Sequence, residues 1–293
     1  MTQNSAQPAV IRETDEQKAV RLAEEREFHD RIRLVDSDPG VSQTRWSPEL
    51  EKTIQENPLW SNMKYYSVER RSRNFVTSYF DTHAANKDVL DLCCGNGEDS
   101  LYMAHIAKSV TGLDISPVSI ENCTRQAQER LLSKKACFVV GDAEKTGFPD
   151  NSFDLVSEYG ALHHVDTQAT FREMARVLRP GGSAICTESL GHNPVIHAYR
   201  KLTPQMRTAN EVGRILKRRD ILGAKQWFNR VEIYWYHLFT IAATPFRNTP
   251  AFKPLLVTLE TIDRAVLSIP GIRWWAWQSV FVLSGPKKSS KMA

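Results

Sequence analysis

No stretch of eighteen consecutive apolar residues occurs in this chain, so no segment has the run expected of a membrane-spanning helix. Met1 to Gln7 is polar rather than a basic segment leading into an apolar one, and a secretory leader is not expected. Cysteine is sparse, at five residues, an odd number with two of them adjacent at Cys93 and Cys94. That usage does not suit a secreted disulfide framework, and a reducing, cytoplasmic setting is the expectation. Spaced C-x-x-C pairs are also missing; neighbouring cysteines without further ligands make a poor metal site, so no metal is expected. Excess charge of one sign is small: the formal net charge is +4 over 293 residues, which gives no overall case for nucleic acid. The remaining composition, 41% hydrophobic and 25% charged, is that of an ordinary globular chain.

What is present centres on Val89-Leu90-Asp91-Leu92-Cys93-Cys94-Gly95-Asn96-Gly97-Glu98-Asp99. A short apolar strand ends there in a glycine-containing turn that runs into a helix expected over 98–108. Glycines let a ligand approach the backbone, and a helix amino terminus offers free N–H groups to an anion. The dinucleotide fingerprint needs a third glycine three residues after the second, and Ser100 stands at that position. Further strands are expected at 109–114, 136–140, 152–156 and 183–187, with helices between them. Ser116-Pro117 supplies an N-cap and a first helical residue, and Arg179-Pro180-Gly181-Gly182 a stop. Strands alternating with helices at this rhythm imply an α/β fold with a parallel sheet covered on both faces.

In such a sheet, ligands bind at the carboxyl ends of the strands. Asp91, Asp114 and Asp142 fall at or near three successive strand ends, and Glu158 at the fourth. Any one of these acids alone is equally a cap or turn former; together and in order they describe a site. The spacing of Asp91, Cys93, Gly95 and Gly97 resembles motif I of class I S-adenosylmethionine-dependent methyltransferases, with Cys93 where that family has its first glycine. The resemblance extends to Phe148-Pro149-Asp150-Asn151-Ser152-Phe153-Asp154, Leu162-His163-His164-Val165 and Arg176-Val177-Leu178-Arg179-Pro180-Gly181-Gly182, as in the branch that includes ubiquinone and menaquinone biosynthesis enzymes. It covers residues 89–188 and is specific for cofactor rather than acceptor.

The resemblance implies a Rossmann-like seven-stranded, mostly parallel sheet whose last strand is antiparallel, with 231–236 and 279–284 as the two final strands. It implies S-adenosyl-L-methionine as cofactor and S-adenosyl-L-homocysteine as product. The methionine part is expected at Asp91 and the turn Cys93, Gly95, Asn96 and Gly97, and the ribose at Asp114 with Ile115 beside it. The adenine is expected at Asp142 and the Ala143 N–H, and the sulfonium near Glu158. A cysteine fits the turn if its backbone angles are ordinary, since it cannot adopt a positive φ cheaply. Tyr66 and Arg70 are candidates for a lid over the cofactor; packing on the sheet edge is the competing assignment. Transfer to an oxygen acceptor usually needs a base, for which His164, then His163, are the candidates, with the neighbouring Tyr159 and Glu158 able to share the role; in the resembling family the histidine pair often shapes the pocket instead.

The expected organisation is a helical extension over 1–60, with a helix or two outside the main core. A methyltransferase domain follows over 61–293, with helical inserts at about 190–228 and 240–278. The second insert should cover the acceptor pocket; its Phe246, Phe252, Trp274, Trp275 and Trp277 suit a hydrophobic acceptor, a homo-oligomer interface or peripheral membrane contact. The first carries Arg200, Lys201, Arg207, Arg214, Lys217, Arg218 and Arg219, which suit an anionic group on the acceptor. Nucleic acid is the less favoured partner, because aromatics are not interleaved with these cations. The expected function is methyl transfer to the O, N or C atom of a small or lipid-like metabolite, against RNA or protein methylation or cofactor binding without transfer.

Overall fold

The computed structural model describes residues 13–34, 51–52, 55, 58–202 and 214–288. Strands β1 (Asp88–Leu92), β2 (Ser109–Asp114), β3 (Ala136–Val140), β4 (Phe153–Tyr159), β5 (Leu178–Ser189), β6 (Phe228–Tyr236) and β7 (Gln278–Pro286) form one sheet in the order β3-β2-β1-β4-β5-β7-β6. β1 to β5 are parallel neighbours, whereas β7 runs antiparallel to both β5 and β6. The expected seven strands and single antiparallel one are therefore present, with the antiparallel strand lying inside the sheet and β6 at its edge.

Side chains alternate between the two faces of each strand, and the sequence uses that alternation to build two cores. Leu90, Leu92, Ala184, Cys186 and Phe281 bury on one face against Phe171, Met174 and Val177 of helix α5 (Thr167–Val177). Val89, Leu155, Ile185 and Val280 bury on the other against Val76, Phe80, Leu101 and Met103. These last four come from α2 (Arg70–His83) and α3 (Glu98–Ala104), which with α1 (Asp15–Leu34) and α4 (Pro117–Glu129) precede β3 in the chain. Two expectations shift at element ends. The helix after β1 ends at Ala104 rather than 108, its last turns replaced by Ile106 and Ala107 N–H bonds to Met103 O. β5 begins at Leu178, because the Pro-Gly-Gly stretch is absorbed as an irregularity between Phe153 and Leu155 pairing.

The segment after β6 folds into a 3-10 turn (Thr240–Phe246), a helix, α8 (Phe252–Val266), and a second turn (Ile272–Trp275), following α6 (Pro194–Leu202) and α7 (Arg218–Gly223). Asp263 ties α8 to the strand end, accepting from the Leu238 and Phe239 N–H groups at 3.0 and 2.7 Å. Phe252, Leu255 and Leu259 pack around Leu256, Ala243 and Val68, the last from a 3-10 segment, Pro58–Val68. Phe246 and Trp275 remain about half exposed. Among the described residues no helix is long and apolar enough to cross a membrane.

Candidate active site

Strand order reverses between β1 and β4, and a cleft opens there at the carboxyl ends, where an open parallel sheet places its ligands. Its floor is the turn after β1. Cys93, Gly95 and Gly97 all adopt positive φ, at 58°, 52° and 78°. The expectation of ordinary angles at Cys93 is thus corrected: the turn demands the left-handed region there, and a non-glycine residue pays about 1–2 kcal/mol for it. At Gly97 a side chain has no room, since a Cβ would lie 2.8 Å from Cys123 Sγ.

The turn is held from beneath by the next strand. Asp114, at the end of β2, accepts from Gly95 N–H and Ser116 N–H, each at 2.9 Å, and Cys94 N–H donates to Leu113 O at 3.0 Å. Asp91 is buried and accepts from Ser100 Oγ at 2.6 Å; burial, then the neighbouring Asp99, pushes its carboxyl up to about 7. Asp99 is itself paired with Arg73 at 2.5 Å. Burial and the surrounding acids, Asp114 first, raise the Cys93 thiol well above its ordinary range, so it is a neutral wall and not a nucleophile.

The cleft has two lobes joined at Arg33, Cys93, Gly95, Tyr159 and Gly160. One lobe adds Met63, Tyr66, Asp91, Asn96, Glu98 and Asp99. The other adds Asp114, Ile115, Asp142, Ala143 and His164, together with Arg21, Glu25 and His29 from α1. The structure therefore brings Tyr66, Asp91, Cys93, Gly95, Asn96, Asp114, Ile115, Asp142, Ala143 and His164 onto one cleft. Gly97 sits below it at the start of α3. Glu158 turns away, accepting from Ala161 N–H at 2.6 Å, and burial with the adjacent Glu188 raises its carboxyl well above the usual range. His163 also faces away from both lobes, its Nδ1 2.9 Å from Glu188 Oε2.

Helix α1 is not an outlying extension: it lies across the cleft. Lys18 pairs with Asp142 and Glu144 at 2.9 and 2.8 Å, and Arg21 with Glu144 at 2.7 Å. Glu25 meets His164 Nδ1 at 2.9 Å, and Asp30 accepts from Ser116 Oγ. His29 is held neutral by burial and by the neighbouring His164, Arg33 and His163. Arg21, Glu25, His29 and Arg33 recur every four residues, one stripe of the helix. In the sequence that stripe is indistinguishable from a solvated, ion-paired face.

The described residues reassign three further expectations. Arg70 is no lid; it lies half exposed and pairs with Glu260 of α8 at 2.5 Å. The cleft lining contains no residue of 240–277; that insert instead backs the 3-10 segment which carries Met63 and Tyr66. Of the basic insert, Arg214 pairs with Glu13 at 3.4 Å and Arg219 with Asp220 at 3.4 Å, while Arg207 and the side chains of Arg200 and Lys201 lie outside the described residues. Glu69, which the sequence reading passed over, is buried behind Tyr159 and accepts its hydroxyl hydrogen bond. It carries no motif, and only the fold brings it to β4.

Residues 90–186 match a methyltransferase domain family. The chain is 38% identical over 159 residues to a probable chloroplastic tocopherol O-methyltransferase of Oryza sativa subsp. japonica, covering 52% of this chain and 44% of that protein. It is 32% identical over 120 residues to a demethylmenaquinone methyltransferase of Geobacillus sp. (strain WCH70), covering 40% and 50%. The chain thus spans about half or less of the length of these curated relatives. The crystal structure of geranyl diphosphate C-methyltransferase from Streptomyces coelicolor A3(2), in complex with Mg2+, geranyl diphosphate and S-adenosyl-L-homocysteine, superposes with a TM-score of 0.58 at 14% identity, covering 90% of this chain and 97% of that one. That likeness establishes the shared Rossmann-like fold.

Proposed function

We propose that this chain, whose residues 90–186 match a methyltransferase domain family, is a class I enzyme that transfers a methyl group from S-adenosylmethionine to a small or lipid-like acceptor. The observation that carries the reading is the convergence of Asp91, Asp114 and Asp142, from β1, β2 and beyond β3, on one cleft with the Cys93–Gly97 turn between them. The donor set suits the cofactor. Buried Asp91 accepts from Ser100 Oγ and lies where a carboxylate can meet an ammonium; Asp114 and Asp142 offer acceptor oxygens at the opposite lobe.

The bound cofactor supplies an electrophilic methyl on a sulfonium. The chain's part is to hold and exclude: Asp91 and the turn would take the methionine end, Asp114 and Ile115 the ribose, Asp142 and Ala143 the adenine. α1 closes the adenine lobe from water, which strengthens every electrostatic contact inside. The acceptor would enter beside Met63, Tyr66 and Tyr159, the apolar and aromatic members of a lobe that also carries Arg33, Glu98 and Asp99, and those rings suit a flat or lipid-like molecule. The names of the tocopherol and demethylmenaquinone relatives support the same acceptor class.

Isothermal titration tests the cofactor half: S-adenosylhomocysteine should bind and NADH should not, and the reverse outcome ends the proposal. Mass spectrometry of cell extracts incubated with the protein and methyl-labelled cofactor then identifies the acceptor.

A further inference from the structure

Resting on the methyl-transfer reading, we infer that Tyr159 and Glu69 form a proton-accepting pair for a phenolic hydroxyl acceptor, Tyr159 touching the acceptor and Glu69 acting through it. Tyr159 stands where the two lobes of the cleft meet, and its hydroxyl donates to Glu69 Oε2. The second carboxylate oxygen, Oε1, accepts from Gln278 Nε2 at 3.1 Å. Both oxygens of a fully enclosed carboxylate thus accept from donors, the arrangement of an ionised group, while burial works against those bonds and holds its proton affinity up. The phenol oxygen keeps a lone pair while its hydrogen is committed to Glu69, and an acceptor seated against Tyr159 has to reach that lone pair.

The electrostatics around the pair come from four elements. Arg73, in the first turn of α2, whose N-cap is Glu69, lies with its guanidinium carbon 4.9 Å from the Tyr159 ring centroid and is balanced by Asp99 of α3 at 2.5 Å. Tyr66 from the 3-10 segment and Gln278 from β7 complete the surroundings. Burial dominates and raises Glu69 to about 7, against lowering by Tyr159, Arg73 and Gln278, which places this carboxylate where a general base works best at neutral pH. Tyr159 is pushed well above its ordinary range by burial and by Glu69, so it relays as a neutral phenol.

The step balances. The acceptor O–H bond breaks and its proton passes to Tyr159 Oη as the Tyr159 proton passes to Glu69. The freed oxygen pair forms the new O–CH3 bond, and the old S–CH3 pair stays on sulfur as a thioether. His164, the sequence-based candidate for this duty, is engaged by Glu25 in the opposite lobe.

The test uses 4-nitrocatechol, whose phenolate is coloured, with the full chain. In protein saturated with S-adenosylhomocysteine, a spectral titration of the bound probe between pH 5 and 9 should reach the phenolate form at lower pH in the wild type than in Glu69→Gln and Tyr159→Phe. With methyl-labelled cofactor, kcat for the probe should fall about 10²- to 10³-fold in both variants with KM within about threefold. Glu69→Asp should restore part of the rate. With unsubstituted catechol, whose hydroxyl does not ionise near neutrality, the wild-type log kcat should rise with pH up to about 7, and that limb should vanish in Glu69→Gln. Variants that keep the wild-type spectrum and pH limb overturn the assignment, as does a wild type that binds S-adenosylhomocysteine yet neither ionises nor methylates the probe. Absence of S-adenosylhomocysteine binding instead removes the methyl-transfer reading beneath it.

Discussion

Asp91 should make cofactor binding depend on pH in a way that can be worked out beforehand. Its carboxyl is buried, is bonded to Ser100 Oγ at 2.6 Å, and is raised to about 7 by burial and Asp99. A methionine ammonium placed against it favours the ionised form, so binding should draw on the ionised fraction alone. At pH 7 about half the free protein then gives up a proton on binding, and at pH 6 the affinity should be about tenfold weaker than the alkaline plateau, roughly 1.4 kcal/mol. Folding stability runs the other way. A carboxyl raised in the folded state contributes stability that is complete below its unfolded value of 3.8 and is lost as pH rises through about 7. Titration calorimetry with S-adenosylhomocysteine between pH 5.5 and 8.5, in buffers of different ionisation enthalpy, reads both the affinity and the released proton. Asp91→Asn keeps an acceptor for Ser100 and should flatten the profile. Affinity independent of pH in the wild type, or an unchanged slope in the variant, refutes the placement of the ammonium.

Two further outcomes bear on the cleft floor and roof. Cys93→Gly should leave the melting temperature nearly unchanged or raised, because relief of about 1–2 kcal/mol of left-handed strain offsets the lost thiol contacts. Cys93→Val should fall below it by at least about 2 kcal/mol, since β-branching aggravates a positive φ; equal melting of the two refutes the turn geometry. Arg21→Ala removes one partner of buried Glu144, costing about 3 kcal/mol. Amide exchange within residues 15–34 should then quicken by about a hundredfold while β1 and β4 keep their protection.

The sheet was legible because its central strands are short apolar runs, buried on both faces, and the turns between them carry glycine, proline or an acid. Leu90, Leu92 and Phe281 bury on one face and Val89 and Val280 on the other, a division that the apolar runs themselves do not reveal. Positions near the strand ends were legible for the same reason: Asp91, Asp114 and Asp142 are local to their strands. What escaped was everything decided across the fold. The α1 stripe pairs with Glu144 and His164 more than a hundred residues away, and polar pairing leaves no apolar period to detect. Arg70 could be placed near the cleft by sequence but not aimed, and Glu260 takes it elsewhere. Glu69 sits one residue before it and faces the opposite way, toward Tyr159. Cys93 was expected to fit on the condition of ordinary backbone angles, and the turn between β1 and α3, which no local pattern fixes, sets its φ at 58°.

The place of β7 in the sheet bears on the order in which the chain can assemble. β6 pairs with β7 alone, and β7 joins it to β5. During synthesis on the ribosome, β1 to β5 emerge as a contiguous parallel block, while β6 must wait through the forty-one residues of 237–277 for its partner. Over that interval β5 presents an open edge and β6 is unmoored. A nascent chain stalled before Gln278 would therefore carry two exposed strand edges, the form most open to chaperones and to self-association.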